Sequence, residues 1–409
     1  MHNTPSTIPA TRRKVTIWMT CILVPLGIVL LGAMVWLWPS GTYQELSLDD
    51  PYGTTDSFSV VSGSVSSVVG RTCDGGAETG SPTAVQEALE CQTAQVATDR
   101  GSYEVEIPAQ VSASTEVVRG DNLKILIGED LAEVGVFVDF ERTVPVVLLA
   151  ALYALVVVVV ARWRGARAIG GLILSFVVLF GFMIPALLEG GPPFWVGLIG
   201  SMLIMLVVLY FAHGVSLRTT TALLGTFIGL LLTAGLAAWA SDTAYLVGLG
   251  EEYSYMLASV VPEIRLSGIV LTGLLVAGLG VLNDVTITQS SAVWEIKAAQ
   301  PNISPRNLFA AGMRIGRDHI ASTVYTIAFA YAGAALPMLM VVSLYDRSIM
   351  DSILSAEMVE EVVRILVGSI GLVLAIPITT GIAVAVANAV AEPSQQPQPE
   401  QKPVVTHAG

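Results

Sequence analysis

The chain has 409 residues, 53% of them apolar and only 13% charged, with a mean hydropathy of +0.70. That balance lies outside the range of soluble globular domains and indicates a membrane protein. Acids outnumber bases 33 to 20, which speaks against nucleic acid as a partner and leaves the lipid bilayer as the first one.

Apolar runs of roughly 20 residues, enough to cross a bilayer, lie at 15–38, 144–161, 168–188, 193–212, 219–240, 266–287, 320–343 and 362–390. The expected fold is an all-α membrane bundle of about eight transmembrane helices, with a small external β-rich domain inserted after the first span. The divisions are an N-terminal tail (1–14), the first transmembrane helix (15–38), the external domain (39–142), a seven-helix transmembrane domain (144–390) and a Pro/Gln-rich tail (391–409) expected to be disordered. Pro185, Pro337 and Pro377 fall within spans, where they are expected to shape or kink the helices.

Orientation follows from charge. Arg12, Arg13 and Lys14 directly precede the first span and retain the N-terminus in the cytoplasm. Alternating from there, the Arg-bearing connections "RWRGARA" and "HGVSLR" and the 288–319 segment fall inside, while "EGGPP" and "SDTAYLVGLGEEY" fall outside. Both termini are then cytoplasmic and the protein is expected as a multi-pass protein of the cell membrane. The first run lacks a small-x-small cleavage site, so it reads as an uncleaved anchor.

The external stretch carries 18 acids and 5 bases. Its β-branched runs "FSVV", "SVSSVV", "YEVEIP" and "EVVRGDNLKILIG" suit a small barrel or sandwich. The segment 82–99 between them has a helical pattern. Cys73 and Cys91 are disulfide candidates in an oxidising exterior, against the alternative of two free thiols. No His occurs there, so no His-based metal site is expected, and no cofactor is called for elsewhere.

The sixth span, "GLGVLNDVTITQSSAVWE", places a carboxylate after a long apolar run. Gly273, Ala277, Gly280, Asp284, Thr288, Ser291 and Glu295 recur at three- and four-residue spacing and share one helical face. The small residues Gly273, Ala277 and Gly280 form a stripe expected to admit a second helix closely. An acid at membrane depth costs about 2.5–3.5 kcal/mol, which makes Asp284 a functional candidate. Against that, Asp284 lies ~27 Å along the helix from Leu266, so it also reads as an interfacial residue where the span ends. The seventh span carries Arg317, Asp318 and His319 at its inner mouth, followed by Ser322, Thr326, Ala330 and Gly333 on one face. Packing the two stripes together would set Asp284 among the hydroxyls of Ser322 and Thr326 with Arg317 nearby, a workable proton site. His319 reads as an interfacial residue. Between the spans, an interfacial amphipathic helix is expected over about 305–317, capped by Ser304 with Pro305 at its first position. "GTFIG" (Gly225, Gly229) adds a GxxxG packing signal.

The stretches "DFERTVPVVLLAALYALVVVVVARWRGARAIGGLILS", "TTTALLGTFIGLLL" and "GLGVLNDVTITQSSAVWEI" resemble the YibE/F family of bacterial multi-span membrane proteins. That resemblance implies membership and fold, with no assigned activity. "LNDVTI" followed by "GRDHIASTVYT" is more distantly similar to SecD/SecF-type RND permeases, which implies Asp284 as a protonation site and Arg317 as its partner. The expected function is a proton-coupled transporter or export-assisting permease. The alternative is a non-transporting scaffold or sensor whose external domain recruits a partner. No enzyme motif such as GxSxG, HExxH or GxxxxGK[ST] occurs, so no enzyme is expected. A homo-oligomer or a partner membrane subunit is expected, and the substrate is not encoded in any motif.

Overall fold

The computed structural model describes residues 10–45, 58–73, 89–128, 133–248, 252–261, 264–344 and 348–390, and the chain divides into two compact units. One comprises 47–157; the other joins 1–46 to 158–409. The two tails, 82–88 and part of the acidic external stretch lie outside the described residues.

The first helix, α1 (Ala10–Trp36), belongs to the second of these units and ends in a short turn, Thr42–Glu45. The 47–157 unit then folds as a closed five-stranded barrel. Its elements are β1 (Phe58–Cys73), β2 (Leu89–Thr98), β3 (Gly101–Ile107), a short α2 (Ala109–Ser114), β4 (Asn122–Gly128) and β5 (Val134–Phe140). The order around the barrel is β1-β2-β3-β5-β4, with β3 and β5 parallel and the other pairs antiparallel. This order, with a helix between β3 and β4, is the Greek-key arrangement of OB-fold barrels.

β1 is long enough to pair with both β2 and β4, and an irregularity between Val65 and Ser67 lets it turn from one to the other. Alternation along β4 buries Leu123, Ile125 and Ile127 against Val65, Val96, Val105 and Ile107. Gly63 is required here, since a Cβ would lie 2.6 Å from Val96 Cγ1. The runs "FSVV" and "SVSSVV" are thus one strand, and 89–98 is a strand although the sequence pattern there is helical. Barrel closure overrides the local pattern, because β2 hydrogen-bonds to neighbours on both sides. β5 is a further strand, beyond the four β-branched runs of the sequence.

After β5, Arg142 bonds Asp139 at 2.5 Å, and that bond holds the Asp139 carboxyl below its ordinary value. Glu141 accepts from the Thr143 hydroxyl and N–H and from Ser62 Oγ, which lowers its pKa to about 2.

The remaining elements are helices: α3 (Thr143–Val178), a π-turn (Leu179–Met183), α4 (Ile184–Leu188), α5 (Pro193–His213), α6 (Leu217–Thr243), α7 (Glu252–Val260), α8 (Leu266–Ala299), α9 (Pro305–Ala334), α10 (Leu336–Ser343), α11 (Ile349–Ile353) and α12 (Ala356–Val390). Six described helical stretches are long and apolar enough to cross a membrane, or seven if α9 and α10, bent by 69°, count as one broken span. The bend falls just before Pro337, and Pro185 and Pro377 lie in α4 and α12. The 46 residues from Thr143 to Leu188 contain a break at Arg162 (φ 55°, ψ −137°).

The bundle core is α5, α6, α8 and α12. Fully or nearly fully buried Leu209, Leu223, Leu230, Leu275 and Ala375 meet there. The π-turn aims Phe182 and Met183 into this core. Phe182 stacks on Trp38 at 6.0 Å. The chain after α1 is clasped to the start of α5 by Glu189, whose carboxylate accepts from Ser40 N–H, Ser40 Oγ, Gly41 N–H and Tyr43 N–H at 2.5–3.3 Å. Desolvation would raise the Glu189 pKa, but these four bonds together hold it below its ordinary value.

α9 is one continuous helix of 30 residues. Ser304 caps it, accepting from Asn307 N–H at 3.3 Å, and Pro305 opens it. The separate interfacial helix expected over 305–317 is therefore the first half of a longer helix, since nothing in "GMRIGRDHIAS" breaks it.

Candidate functional site

α8 has two distinct faces. Leu275, Leu279, Leu282, Val285, Thr286, Gln289, Ser290 and Val293 are buried, at the spacing of one helical stripe. The opposite face carries Gly273, Ala277, Gly280, Asp284, Thr288 and Glu295, all exposed.

The buried face is polar in its second half, and each polar group there is bonded. Thr226 and Thr286 hydroxyls meet at 2.7 Å, joining α6 to α8. Gln289 Nε2 donates to Gly312 O at 2.8 Å and to Thr380 Oγ1 at 2.7 Å, joining α8 to α9 and α12. Ser290 Oγ donates to Arg218 O at 2.9 Å. α9 reaches Gln289 because it presents glycines: a Cβ on Gly312 would meet Thr380 and Val293 at 3.0 Å, and one on Gly316 would meet Ile376 at 2.6 Å. "GMRIG" is itself a GxxxG sequence, the signal for this close approach. Gly225 and Gly229 in α6 do what their spacing suggests, facing Thr379 and, respectively, Leu282 with Ala375.

The stripe expected to bring α8 and α9 together does not do so within this chain. A Cβ on Gly273, Gly280 or Gly333 would meet nothing within 4 Å. Ser322, Thr326 and Ala330 on α9 are likewise exposed. The physical reason is that α9 uses Gly312 and Gly316, one face over, to seat against Gln289 and Val293.

Asp284 is 68% exposed, and its Oδ2 lies 3.6 Å from Nε2 of His319. That separation is an ion-pair distance when the imidazole is protonated, and too long for a direct hydrogen bond. His319, read from sequence as interfacial, is thus the group that α9 brings to the acid. Arg317 is not: two residues from His319, it points about 200° around the helix and is exposed. Ser322 and Thr326 follow His319 at three- and seven-residue spacing, so they continue its face, with Thr326 Oγ1 donating to Ser322 O at 3.1 Å. Asn283 Oδ1 and His319 Nε2 are buried atoms without a hydrogen-bond partner. The arrangement sets a carboxylate on α8 beside an imidazole on α9.

Of the other predicted residues, Cys91 is disulfide-bonded and Cys21 is a free, exposed thiol. The side chain of Cys73 lies outside those described. Among the described residues no group of three or more His, Cys, Asp or Glu side chains is placed to hold a metal ion.

The comparisons with curated proteins and with solved structures found no match. A family model described as YibE/F-like protein matches residues 149–389, which span α3 to α12 and include every residue of the α8–α9 site. With well over half of its length matched, the chain belongs to the YibE/F-like family.

Proposed function

We propose that this integral membrane protein is a proton-coupled transporter or export-assisting permease whose proton carrier is the Asp284–His319 pair. The reading is carried by one observation: a titratable acid and an imidazole 3.6 Å apart join two membrane-type helices. Such groups are costly in a span and are kept there where charge must move. His319 replaces Arg317 as the partner of Asp284. An imidazole suits this role better than a guanidinium, since it can both take and give a proton while a guanidinium stays protonated.

Eight spans fit this reading. The stretch Thr143–Leu188 would be ~69 Å long as one helix, more than twice the ~30 Å hydrocarbon layer, and the break at Arg162 supports reading it as two crossings. With Arg12, Arg13 and Lys14 inside, both termini are cytoplasmic, the barrel is external and the site sits toward the inner end of α8 in the cell membrane. The exterior barrel handles the substrate or a partner, and no step of the reading needs an enzymatic reaction or a cofactor.

In a strain lacking the protein, Asp284→Asn and His319→Gln expressed at the wild-type level should fail to restore whatever growth or export defect the deletion causes. Full restoration by Asp284→Asn would end the proton-carrier reading.

The open stripe at Gly273, Ala277 and Gly280 favours a second reading, a scaffold or sensor that takes a neighbouring membrane helix, from a partner subunit or a second copy, on that face. In that case Asp284→Asn is tolerated, and Gly273→Leu with Gly280→Leu abolishes function.

A further inference from the structure

α1 is held to the bundle at its far end, by the Trp38–Phe182 stack, the Glu189 clasp and the buried Leu30. In its N-terminal half Met19 is buried and Leu23 packs toward the core, but the contact of α1 with α5 and α6 is incomplete. Between them lies a groove of ≈ 730 Å³, lined on one side by Thr16, Leu23 and Gly27 and on the other by Leu206, Tyr210 and Thr220. Gly27 marks how open it is, since a Cβ there would meet nothing within 4 Å.

The groove is graded along its length. Its α1 wall runs from Thr16 to Leu31, ~22 Å of helix and more than half the ~30 Å hydrocarbon layer. Leucine, isoleucine, valine and glycine line the deep part. Hydroxyls gather at the other end, where Tyr210 and Thr220 meet at 3.1 Å and Thr20 Oγ1 donates to Thr16 O at 2.9 Å. One turn further on, Arg13 and Lys14 are both exposed. An apolar space of this size left empty would forfeit the dispersion contacts of its whole lining.

We infer that this groove is a lipid site that takes one acyl chain of an anionic phospholipid, with the headgroup phosphate at Arg13, which continues the Thr16–Thr20–Leu23–Gly27 face by one turn. An apolar slot ending in hydroxyls and then a cation matches, in order, the chain, the ester region and the phosphate of such a lipid. Occupancy would wedge α1 against α5 and α6 at the end opposite the Glu189 clasp. The inference stands on the α1 groove alone and is independent of the role given to Asp284.

The full-length protein, exchanged into nanodiscs of phosphatidylglycerol or of phosphatidylcholine and released for native mass spectrometry, tests it. Wild type should retain one phosphatidylglycerol and little phosphatidylcholine. Gly27→Trp, whose Cβ enters open space and whose ring fills the groove, should lose the retained lipid. Arg13→Gln should keep a lipid but lose its preference for phosphatidylglycerol about fivefold, and Lys14→Gln, off the groove face, should change it less. Equal retention of both lipids by wild type, or undiminished retention by Gly27→Trp, would overturn the inference. A wild-type dimer that Gly27→Trp converts to monomer would assign the groove to a second copy and overturn it equally.

Discussion

The two faces of α8 use the same spacing to opposite ends. On the inner face, α8 meets glycines of its neighbours: Gly229 against Leu282, Gly312 against Val293, and Gly316 beside Gln289. On the outer face, Gly273, Ala277 and Gly280 repeat at equivalent intervals and are exposed, and a Cβ on either glycine would meet nothing within 4 Å among the described residues. Small-residue spacing defines a face on which a helix can approach; whether one does depends on what the neighbour presents. Buried side chains that need a backbone partner, such as Gln289 at Gly312 O, mark the face that is closed.

The largest test of that contrast is Gly316→Leu. The added side chain has no room beside Ile376 and Gln289, and overpacking of this kind costs about 1–3 kcal/mol or more. The detergent-purified protein should lose thermal stability or fail to fold, whereas an unchanged melting curve would mean that α9 does not seat there.

Next in size is Gln289→Leu, which leaves Gly312 O and the Thr380 hydroxyl short of a buried donor, at about 1–3 kcal/mol. The same unfolding measurement reads it, and Gln289→Glu should not rescue because it cannot donate when ionised.

The barrel supplies a reference for polar groups that face water. Glu141, with its pKa lowered to about 2 in the fold from an ordinary 4.5, stabilises the barrel at pH values above 4.5, and that contribution is lost as pH falls through 2. Hydrogen exchange of β4 and β5 amides should therefore accelerate between pH 4.5 and 2, beyond the intrinsic pH dependence, and Glu141→Gln should flatten that limb. A steep limb retained in Glu141→Gln would place its origin in other carboxylates such as Asp139.

Smallest on stability is Gly273→Leu. With open space around it, the change should alter unfolding by no more than about 0.5 kcal/mol. A loss as large as that of Gly316→Leu would show the outer face to be closed by something that the isolated chain lacks.

Much of this molecule is legible in its sequence. Apolar length gave the positions of the membrane-type helices, and Ser304-Pro305 gave the start of α9, because both signals are local. The Gly225/Gly229 pair was legible for the same reason. What was not legible depends on contacts between distant segments. The strand at 89–98 exists because β1 and β3 flank it, against its own pattern. His319 became the neighbour of Asp284 through the angular position of α9, which Gly312 and Gly316 set by seating on Gln289. "GMRIG" was the available signal for that seating, hidden within a polar stretch that reads as interfacial.

The most direct test of the proton-carrier reading is proton flux in proteoliposomes that hold the full-length protein and an entrapped pH-sensitive dye, under an imposed pH gradient. Wild type should dissipate the gradient faster than empty vesicles, with Asp284→Asn and His319→Gln both falling to the empty-vesicle rate and Arg317→Gln remaining close to wild type. Flux undiminished in Asp284→Asn would contradict the assignment of the Asp284–His319 pair as the proton carrier.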